Sequence, residues 1–208
     1  MNHEIAIALF DYGGVLAEEG FQEGLAAIAR LNGIDRVEFV QAGNEVVHET
    51  GYVTGQCPEA VYWDALRHET GIVQDDESLR QEILSRFVLR DWMIGFVSAL
   101  RARRIRPGIL SDQTNWLEEL DGRDDFFRYF DYIFNSYHMG SSKREEDHFD
   151  KVVRVIGVKS GAILFVDDNE GNCARARSRG MRVIHYIDRP QFLAEAALFF
   201  PDMGSDVA

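Results

Sequence analysis

The chain has 208 residues, of which 46% are hydrophobic and 27% charged; this is typical of a globular protein and excludes fibrous and disordered classes. Its formal net charge of -13 opposes binding to nucleic acid and to anionic membranes, because both partners are negatively charged. At about 150 residues per domain, this length predicts one full domain that carries a large insertion.

Cysteine usage and the first residues indicate the compartment. Cys57 and Cys173 have no CxxC spacing, so neither a disulfide framework nor a zinc site is expected. The apolar run at residues 5–10 lacks the basic start and the length of a signal peptide, and no later run approaches about 20 residues. We therefore expect a cytoplasmic monomer or homodimer with free thiols and with no membrane or nucleic-acid partner.

Five short apolar runs predict the buried strands of a β-sheet. In chain order they are residues 5–10, 106–111, 132–136, 162–166 and 182–186. Helical spacing of apolar residues separates the last strands, and a glycine follows each of these helices at the usual end position. This alternation of strands and helices predicts an α/β fold with a doubly wound parallel sheet.

A long segment after the first strand breaks this alternation. Residues 18–96 show helical spacing of apolar side chains, and Pro58 stands at a plausible helix start, but no convincing strand is present. We expect these residues to form a helical insertion. The remaining residues, 1–17 and 97–208, are expected to form the α/β core.

Acidic side chains directly follow three of the predicted strands. They are Asp11, Asp112 and the pair Asp167 and Asp168. Ligands of an open parallel sheet bind outside the carboxyl ends of its strands. A single such Asp often caps a helix, but carboxylates crowded at one edge repel each other unless a cation lies between them. Because Mg²⁺ prefers oxygen ligands of this kind, the set predicts a magnesium site.

Four motifs, which follow one another in the expected order, resemble those of the haloacid dehalogenase (HAD) superfamily over nearly the whole chain. The first, an apolar strand followed by D-x-G-G-V, is residues 11–15, and the second, a strand ending in serine, is represented by Ser111. The third is Lys143 ahead of a helix, and the fourth is the acidic pair Asp167 and Asp168. The resemblance implies a sheet of order 3-2-1-4-5 with residues 18–96 as a helical cap.

The resemblance also implies a role for each motif residue. The implied catalytic residues are Asp11, as the nucleophile that becomes an aspartyl-phosphate, with Ser111 and Lys143. Ser111, Asp112 and Lys143 are the implied binding residues for the phosphorylated substrate. The implied Mg²⁺ ligands are Asp11, the backbone carbonyl of Gly13, Asp168 and, through water, Asp167.

The first motif departs from the usual superfamily pattern at Gly13. Most members have a second Asp there, which protonates the leaving group, so this role cannot be transferred to Gly13. The pattern D-x-G-[GN]-V resembles the first motif of glucose-1-phosphate phosphatase-like proteins. Glu18 or Glu19, just after the first strand, could supply the carboxylate that position 13 lacks. Linker acids of this kind are, however, usually exposed and without such a role. Asp112 replaces a frequent Asn, and Arg144 replaces a frequent Pro.

Aromatic and histidine residues give weaker signals. The six histidines show no metal-ligand spacing, and we expect them to be at the surface or partly buried. Trp116 stands four residues after Asp112 and is expected near the site.

These features predict a Mg²⁺-dependent phosphatase that acts on a small phosphorylated metabolite, such as a sugar phosphate. A metal-independent 2-haloacid dehalogenase also lacks the second Asp. Asp167 and Asp168 oppose that reading, because an unscreened acidic pair would raise the pKa of the nucleophile and repel a carboxylate substrate. The remaining alternative is a binding or regulatory module that has lost turnover through Gly13.

Overall fold

The computed structural model describes residues 4–203 as a five-stranded parallel sheet with helices on both faces. The order of the strands in the sheet is β3-β2-β1-β4-β5. This confirms the predicted α/β class and strand order. The strands are β1 (Ile7–Phe10), β2 (Arg106–Ser111), β3 (Tyr132–Asn135), β4 (Ile163–Asp167) and β5 (Arg182–His185).

Ten α-helices surround this sheet within residues 4–203. Four precede β2 as an insertion, and α5 leads directly into that strand. The insertion helices are α1 (Gly20–Asn32), α2 (Arg36–Glu49), α3 (Glu59–Thr70) and α4 (Asp76–Leu84). The others are α5 (Asp91–Ala102), α6 (Trp116–Asp124), α7 (Ser136–Met139), α8 (His148–Ile156), α9 (Glu170–Ser178) and α10 (Arg189–Phe199). Among these described residues, no helix has both the length and the apolar composition needed to cross a bilayer.

The central strand β1 is buried on both faces, which explains its unbroken apolar sequence. Ala8 and Phe10 pack into one apolar cluster, which includes side chains of α5 and α10. Ile7 and Leu9 pack into a second cluster with α8 on the opposite face. Because successive side chains of a strand alternate between faces, one short strand joins both layers of the core.

We name the four helices α1–α4 the helical insert. Its helices begin where the sequence offers caps: the Asp35 carboxylate accepts hydrogen bonds from the backbone N–H groups of Val37 and Glu38 at the start of α2. Pro58 directly precedes α3, as the sequence predicts. An aromatic cluster of Tyr52, Tyr62, Trp63 and Trp116 then joins the insert to the first turn of α6.

The expected boundary between residues 96 and 97 falls inside α5, which packs on β2 as one continuous helix. The chain enters and leaves the insert through two adjacent segments. The N–H of Glu18 donates to the carbonyl of Val88, and the N–H of Arg90 donates to the carbonyl of Leu16. We propose that the core and the insert divide at these paired segments.

One sequence expectation about a single side chain is wrong. His148 is fully buried at the start of α8, where its Nδ1 lies 3.1 Å from the Ser141 hydroxyl, rather than at the surface or partly buried. Trp116 lies in the first turn of α6, after the loop that follows β2, and is fully buried; its indole N–H donates to Glu59 Oε2 of the insert. Cys57 and Cys173 are free thiols, as expected.

Candidate active site

The carboxyl ends of β1, β2 and β4 form one wall of a cavity of about 340 Å³. The opposite wall comes from the helical insert. Six of the seven predicted site residues line this cavity: Asp11, Gly13, Ser111, Asp112, Lys143 and Asp168. The seventh, Asp167, lies behind them and is fully buried. The structure therefore brings all the predicted residues to one edge of the sheet.

Lys143 is the centre of the buried charges in this wall. Its Nζ lies 2.7 Å from Asp11 Oδ2 and 2.7 Å from Asp167 Oδ2, and its side chain is 1% exposed. Burial disfavours the charged form, but the nearby carboxylates of Asp11, Asp167 and Asp112 outweigh it and raise the pKa of Lys143. Lys143 is thus a fixed positive charge beside the predicted nucleophile.

The loop that carries Lys143 is held through its backbone. The Asp112 carboxylate accepts a hydrogen bond from the Lys143 N–H at 2.9 Å, and Arg175 Nε donates to the Lys143 carbonyl at 2.6 Å. Burial raises the pKa of Asp112, and the charge of Lys143 opposes this rise. Asp112, predicted to bind substrate, thus holds the position of Lys143; a direct contact with substrate remains a prediction.

Asp11 follows β1, and its N–H donates to the carbonyl of Val166 in the adjacent strand. Its carboxylate accepts a hydrogen bond from the Tyr12 N–H at 2.7 Å, and Ser111 lines the same wall of the cavity. Burial raises the pKa of Asp11 to about 6, while the adjacent Lys143 opposes the rise. The carboxylate is therefore held in one orientation with its oxygens next to the cavity.

The acidic pair at the end of β4 has two different environments. The buried Asp167 carboxylate accepts hydrogen bonds from the Asn169 N–H at 2.8 Å and from the Asn172 side-chain amide at 3.1 Å. Asp168 is exposed at the cavity; partial loss of water around its carboxyl group within the cavity, together with the nearby charge of Asp11, raises its pKa to about 6. Asp167 is thus a structural partner of Lys143, whereas Asp168 faces an incoming ligand.

Carboxylate oxygens of Asp11, Asp167 and Asp168 all lie within 4.8 Å of one another. Gly14 allows this approach: it has a φ of +76°, and a Cβ there would lie 2.2 Å from Asp168 Oδ2. Only glycine combines that backbone conformation with the required space. Three oxygen donors gathered at one point fit a hard divalent cation such as Mg²⁺.

Glu19 adds a further carboxylate at the other wall of the cavity. It is the N-cap residue of α1, where its Oε1 accepts a hydrogen bond from the Gln22 N–H at 2.9 Å. Burial raises the pKa of Glu19 to about 7, and the carboxylates of Asp168 and Asp11 add to this rise. Glu18 instead pairs with Arg90 at 2.8 Å and has a largely exposed side chain. The expectation of an exposed linker acid is therefore wrong for Glu19.

The insert and the residues next to its helices contribute polar and apolar side chains to the cavity in equal number. These lining residues are Glu19, Phe21, Gln22, Asn44, Val47, His48, Val53 and Phe87. Burial and the neighbouring Arg144 lower the pKa of His48 to about 4, which keeps the imidazole neutral near pH 7. Sequence reasoning missed Asn44 and His48, because their position depends on how α2 packs against α1 and α3. No spacing within α2 marks that face.

Comparison with known proteins identifies the family. The sequence profile of haloacid dehalogenase-like hydrolases matches residues 5–178 of the chain. The chain belongs to this family of hydrolases. The match spans the three strands that carry the acidic residues and the whole helical insert.

Curated relatives match only parts of the chain. A drimenol cyclase of Aspergillus calidoustus is 40% identical over 67 residues, or 32% of this chain and 13% of the relative. The bifunctional epoxide hydrolase 2 of Rattus norvegicus is 27% identical over 126 residues, or 57% of this chain and 22% of the relative. The matched regions are therefore less than a quarter of each relative's length.

Solved structures share the fold at low sequence identity. A HAD-like family hydrolase of Porphyromonas gingivalis has a TM-score of 0.73 and 22% identity, covering 93% of this chain and 97% of that chain. A HAD family enzyme of Bacteroides thetaiotaomicron, in complex with magnesium and inorganic phosphate, has a TM-score of 0.68 and 21% identity, covering 86% and 93%. The L-2-haloacid dehalogenase of Xanthobacter autotrophicus, with chloropropionic acid covalently bound, has a TM-score of 0.65 and 18% identity, covering 98% and 84%.

Proposed function

We propose that this hydrolase is a Mg²⁺-dependent phosphatase that acts on a small phosphorylated metabolite through an aspartyl-phosphate intermediate. The observation that carries the proposal is the placement of Lys143, whose Nζ lies 2.7 Å from both Asp11 and Asp167 at the base of an open cavity. This arrangement places a carboxylate nucleophile beside a fixed positive charge. Phosphoryl transfer requires such positioning and neutralisation of charge.

In the first step, an oxygen of Asp11 attacks phosphorus, and the bond from phosphorus to the leaving oxygen breaks. Ser111 and Lys143 line the same wall and bind the phosphoryl oxygens, whose negative charge they offset. In the second step, water attacks phosphorus and releases inorganic phosphate. Asp11 then returns to its carboxylate form.

The donor set supports a divalent cation. Asp11, Asp168 and the backbone carbonyl of Gly13 would hold Mg²⁺, which when bound reduces the repulsion between the nucleophile and the anionic substrate. Asp167 would act from the second layer, because its carboxylate is already bonded to Lys143 and Asn172. The Bacteroides enzyme of similar fold, solved with magnesium and inorganic phosphate, supports the same ligand class here.

The cavity supports a small and polar substrate. Its volume of about 340 Å³ is at the lower end of the range for small-molecule pockets, which is roughly 300–1,000 Å³. Gln22, Asn44 and His48 supply polar groups opposite the phosphoryl site. A sugar phosphate fits this chemistry, and the resemblance of the first motif to glucose-1-phosphate phosphatase-like proteins supports the same substrate class.

The test is a panel of phosphorylated metabolites and p-nitrophenyl phosphate, assayed with Mg²⁺ and with EDTA. We expect phosphate release with Mg²⁺ only, and its loss in Asp11→Asn, because the amide is a poor nucleophile of similar volume. Asp64→Asn is the matched control, since Asp64 is 80% exposed and lies outside the cavity. Circular dichroism of both variants checks the fold.

Two other outcomes would replace the proposal. Chloride release from 2-haloacids in EDTA, without phosphate release, would identify a metal-independent dehalogenase. Binding of a phosphorylated metabolite without any turnover, measured by calorimetry over the same panel, would identify a binding module. Asp11→Asn activity within about tenfold of the parent would remove Asp11 as the nucleophile.

A further inference from the structure

The proposed reaction needs a proton donor that the phosphoryl site itself does not provide. An alkoxide is a poor leaving group, and general acid catalysis typically contributes about 10²–10⁴-fold to such a step. Asp11 acts as the nucleophile, and Asp168 faces the cation site. The Asp112 carboxylate is bonded to the Lys143 N–H. Lys143 itself is held between two carboxylates, which favour its charged form and oppose loss of its proton.

Glu19 is the remaining carboxylate among the described residues that line the cavity. Its Oε1 is occupied by the Gln22 N–H, which fixes the orientation of the group. Its Oε2 lies 3.1 Å from the point where a Cβ of residue 13 would stand. The free oxygen of Glu19 therefore fills the space beside the backbone two residues after the nucleophile Asp11.

This oxygen has an apolar neighbour on one side. Phe87 Cε1 lies 3.3 Å from the same Cβ point and forms an apolar flank. Phe87 is almost fully buried, as is the helix face of α1 behind Glu19. Glu18, the adjacent acid, is bonded to Arg90 through both carboxylate oxygens and does not line the cavity. The geometry thus selects one of two consecutive glutamates.

We propose that Glu19 transfers the proton in both halves of the reaction, as the acid that protonates the leaving oxygen and then as the base that deprotonates the attacking water. This inference rests on the proposed phosphatase function. It assigns to the N-cap residue of α1 the carboxylate that the loop after β1 lacks, because residue 13 is a glycine without a side chain.

The steps balance in atoms and charge. When Asp11 forms its bond to phosphorus, the bond to the leaving oxygen breaks and the Glu19 proton goes to that oxygen, which leaves as an alcohol. Water then attacks phosphorus, one of its protons goes to Glu19, and the bond between phosphorus and Asp11 breaks. Inorganic phosphate leaves, while Asp11 is again a carboxylate and Glu19 again a carboxylic acid.

The experiment compares the parent, Glu19→Gln and Glu18→Gln on three aryl phosphates of similar size with Mg²⁺ present. These are phenyl, 4-nitrophenyl and 2,4-dinitrophenyl phosphate, in order of increasing leaving-group ability. The glutamine oxygen at position 19 can still accept the Gln22 N–H and so preserves the helix cap. Glu18→Gln is the matched control for loss of one acidic side chain. Rapid-quench kinetics measures the first release of phenol, and intact mass measures phosphate retained on the protein.

We expect Glu19→Gln to release dinitrophenol in a burst that is within about threefold of the parent rate, because this leaving group needs no proton. The burst rate on phenyl phosphate should fall by about 10²–10⁴-fold, the range for loss of a general acid. Turnover on all three substrates should slow, and phosphate should accumulate on the protein, since the second step lacks its base. Glu18→Gln should behave like the parent.

The inference is overturned by burst rates that fall equally on all three substrates, which would indicate a structural role for Glu19. Absence of phosphate on Glu19→Gln after the burst would also overturn it. If the parent hydrolyses these esters and Glu19→Gln matches it, the phosphatase function stands and only the Glu19 role fails. A parent that hydrolyses neither these esters nor any member of the metabolite panel contradicts the proposed function and the Glu19 role together.

A second pair of variants keeps the test independent of the cap of α1. Glu19→Ala removes the carboxylate, and the added substitution Gly13→Asp places one in the same space from the opposite wall. Gly13 does not have a positive φ, and Glu19→Ala removes the oxygen 3.1 Å from the added Cβ, so only Phe87 Cε1, at 3.3 Å, must shift slightly. We expect the double variant to exceed Glu19→Ala on phenyl phosphate by at least about tenfold. Equal rates in two folded variants would contradict proton transfer from this position.

Discussion

The two walls of the cavity differ in how firmly their polar groups are held. On the sheet side, Lys143 and Asp167 are buried and bonded to each other and to neighbouring elements. On the insert side, the side chains of Gln22 and His48 have no hydrogen-bond partner among the described residues 4–203. We expect the fixed charges of the sheet side to serve the chemical step. The unpaired polar groups of the insert side are available to form hydrogen bonds with the hydroxyl groups of a substrate.

This difference has an energetic reason. A charge that is removed from water is costly unless opposite charges and hydrogen bonds surround it, so the Lys143 network must be complete in the folded protein. Neutral groups such as His48 can remain unpaired at lower cost because the open cavity provides water. Substitutions on the sheet side should therefore change both the free energy of unfolding and the activity. Substitutions on the insert side should change activity without an equal change in stability.

The largest effect is expected from Lys143→Met, which removes the central charge at similar side-chain length. Asp11 and Asp167 then lose their buried partner, a change that typically costs about 3–5 kcal/mol. Loss of charge at the phosphoryl site should also lower kcat by at least about 10²–10³-fold. Urea unfolding at pH 7 measures the first effect, and p-nitrophenyl phosphate hydrolysis measures the second.

Lys151→Met is the control for this prediction, because Lys151 is 38% exposed and pairs with Asp147 at 3.2 Å. Exposed pairs of this kind contribute about 0–1 kcal/mol. If Lys143→Met lowered stability no more than Lys151→Met, the sheet wall would not depend on its buried charges, and the contrast between the walls would fail.

A smaller effect separates the two members of the acidic pair. Asp168→Asn should weaken Mg²⁺ binding more than Asp167→Asn, which we expect to lose about 10–100-fold as a residue outside the direct ligands. Asp167→Asn should lower the free energy of unfolding by about 1–3 kcal/mol, because it disturbs buried hydrogen bonds. Calorimetric titration with Mg²⁺ and urea unfolding give both quantities. Equal Mg²⁺ affinities in the two variants would remove the distinction between direct and water-mediated ligand.

The sheet wall could be predicted from the sequence because its signals are local. Buried parallel strands are continuous apolar runs; Asp11 directly follows one, Ser111 ends another, and the pair Asp167 and Asp168 follows a third. Lys143 is different: it lies in a loop, and only its place in the ordered motifs marked it. Its bonds to Asp11 and Asp167 depend on how that loop folds over the sheet.

The insert wall was predicted only in outline. Helical periodicity indicated that residues 18–96 contain helices, but periodicity identifies a buried face without saying what covers it. Glu19 was expected to be exposed, but its carboxylate and Phe87, which is distant in sequence, both lie beside Gly13. The end of the insertion was placed within α5 because the absence of a strand gives no information on where one helix stops and the next starts.

The smallest effect is expected at His48, where selectivity should change more than the intrinsic rate. Its neutral imidazole lies in the cavity without a hydrogen-bond partner among residues 4–203, so a hydroxyl group of the substrate can form a hydrogen bond with it. One neutral hydrogen bond contributes about 0.5–1.5 kcal/mol, or roughly 2- to 12-fold in affinity. His48→Ala should therefore raise KM for a hydroxylated metabolite by about that factor relative to phenyl phosphate, which has no hydroxyl group.

The measurement is the ratio of kcat/KM for the two substrates, with His68→Ala as control because His68 is exposed on α3 and outside the cavity. Equal losses on both substrates would mean that His48 supports the sheet wall, and the insert would then be part of the fixed site rather than a separate surface for selectivity.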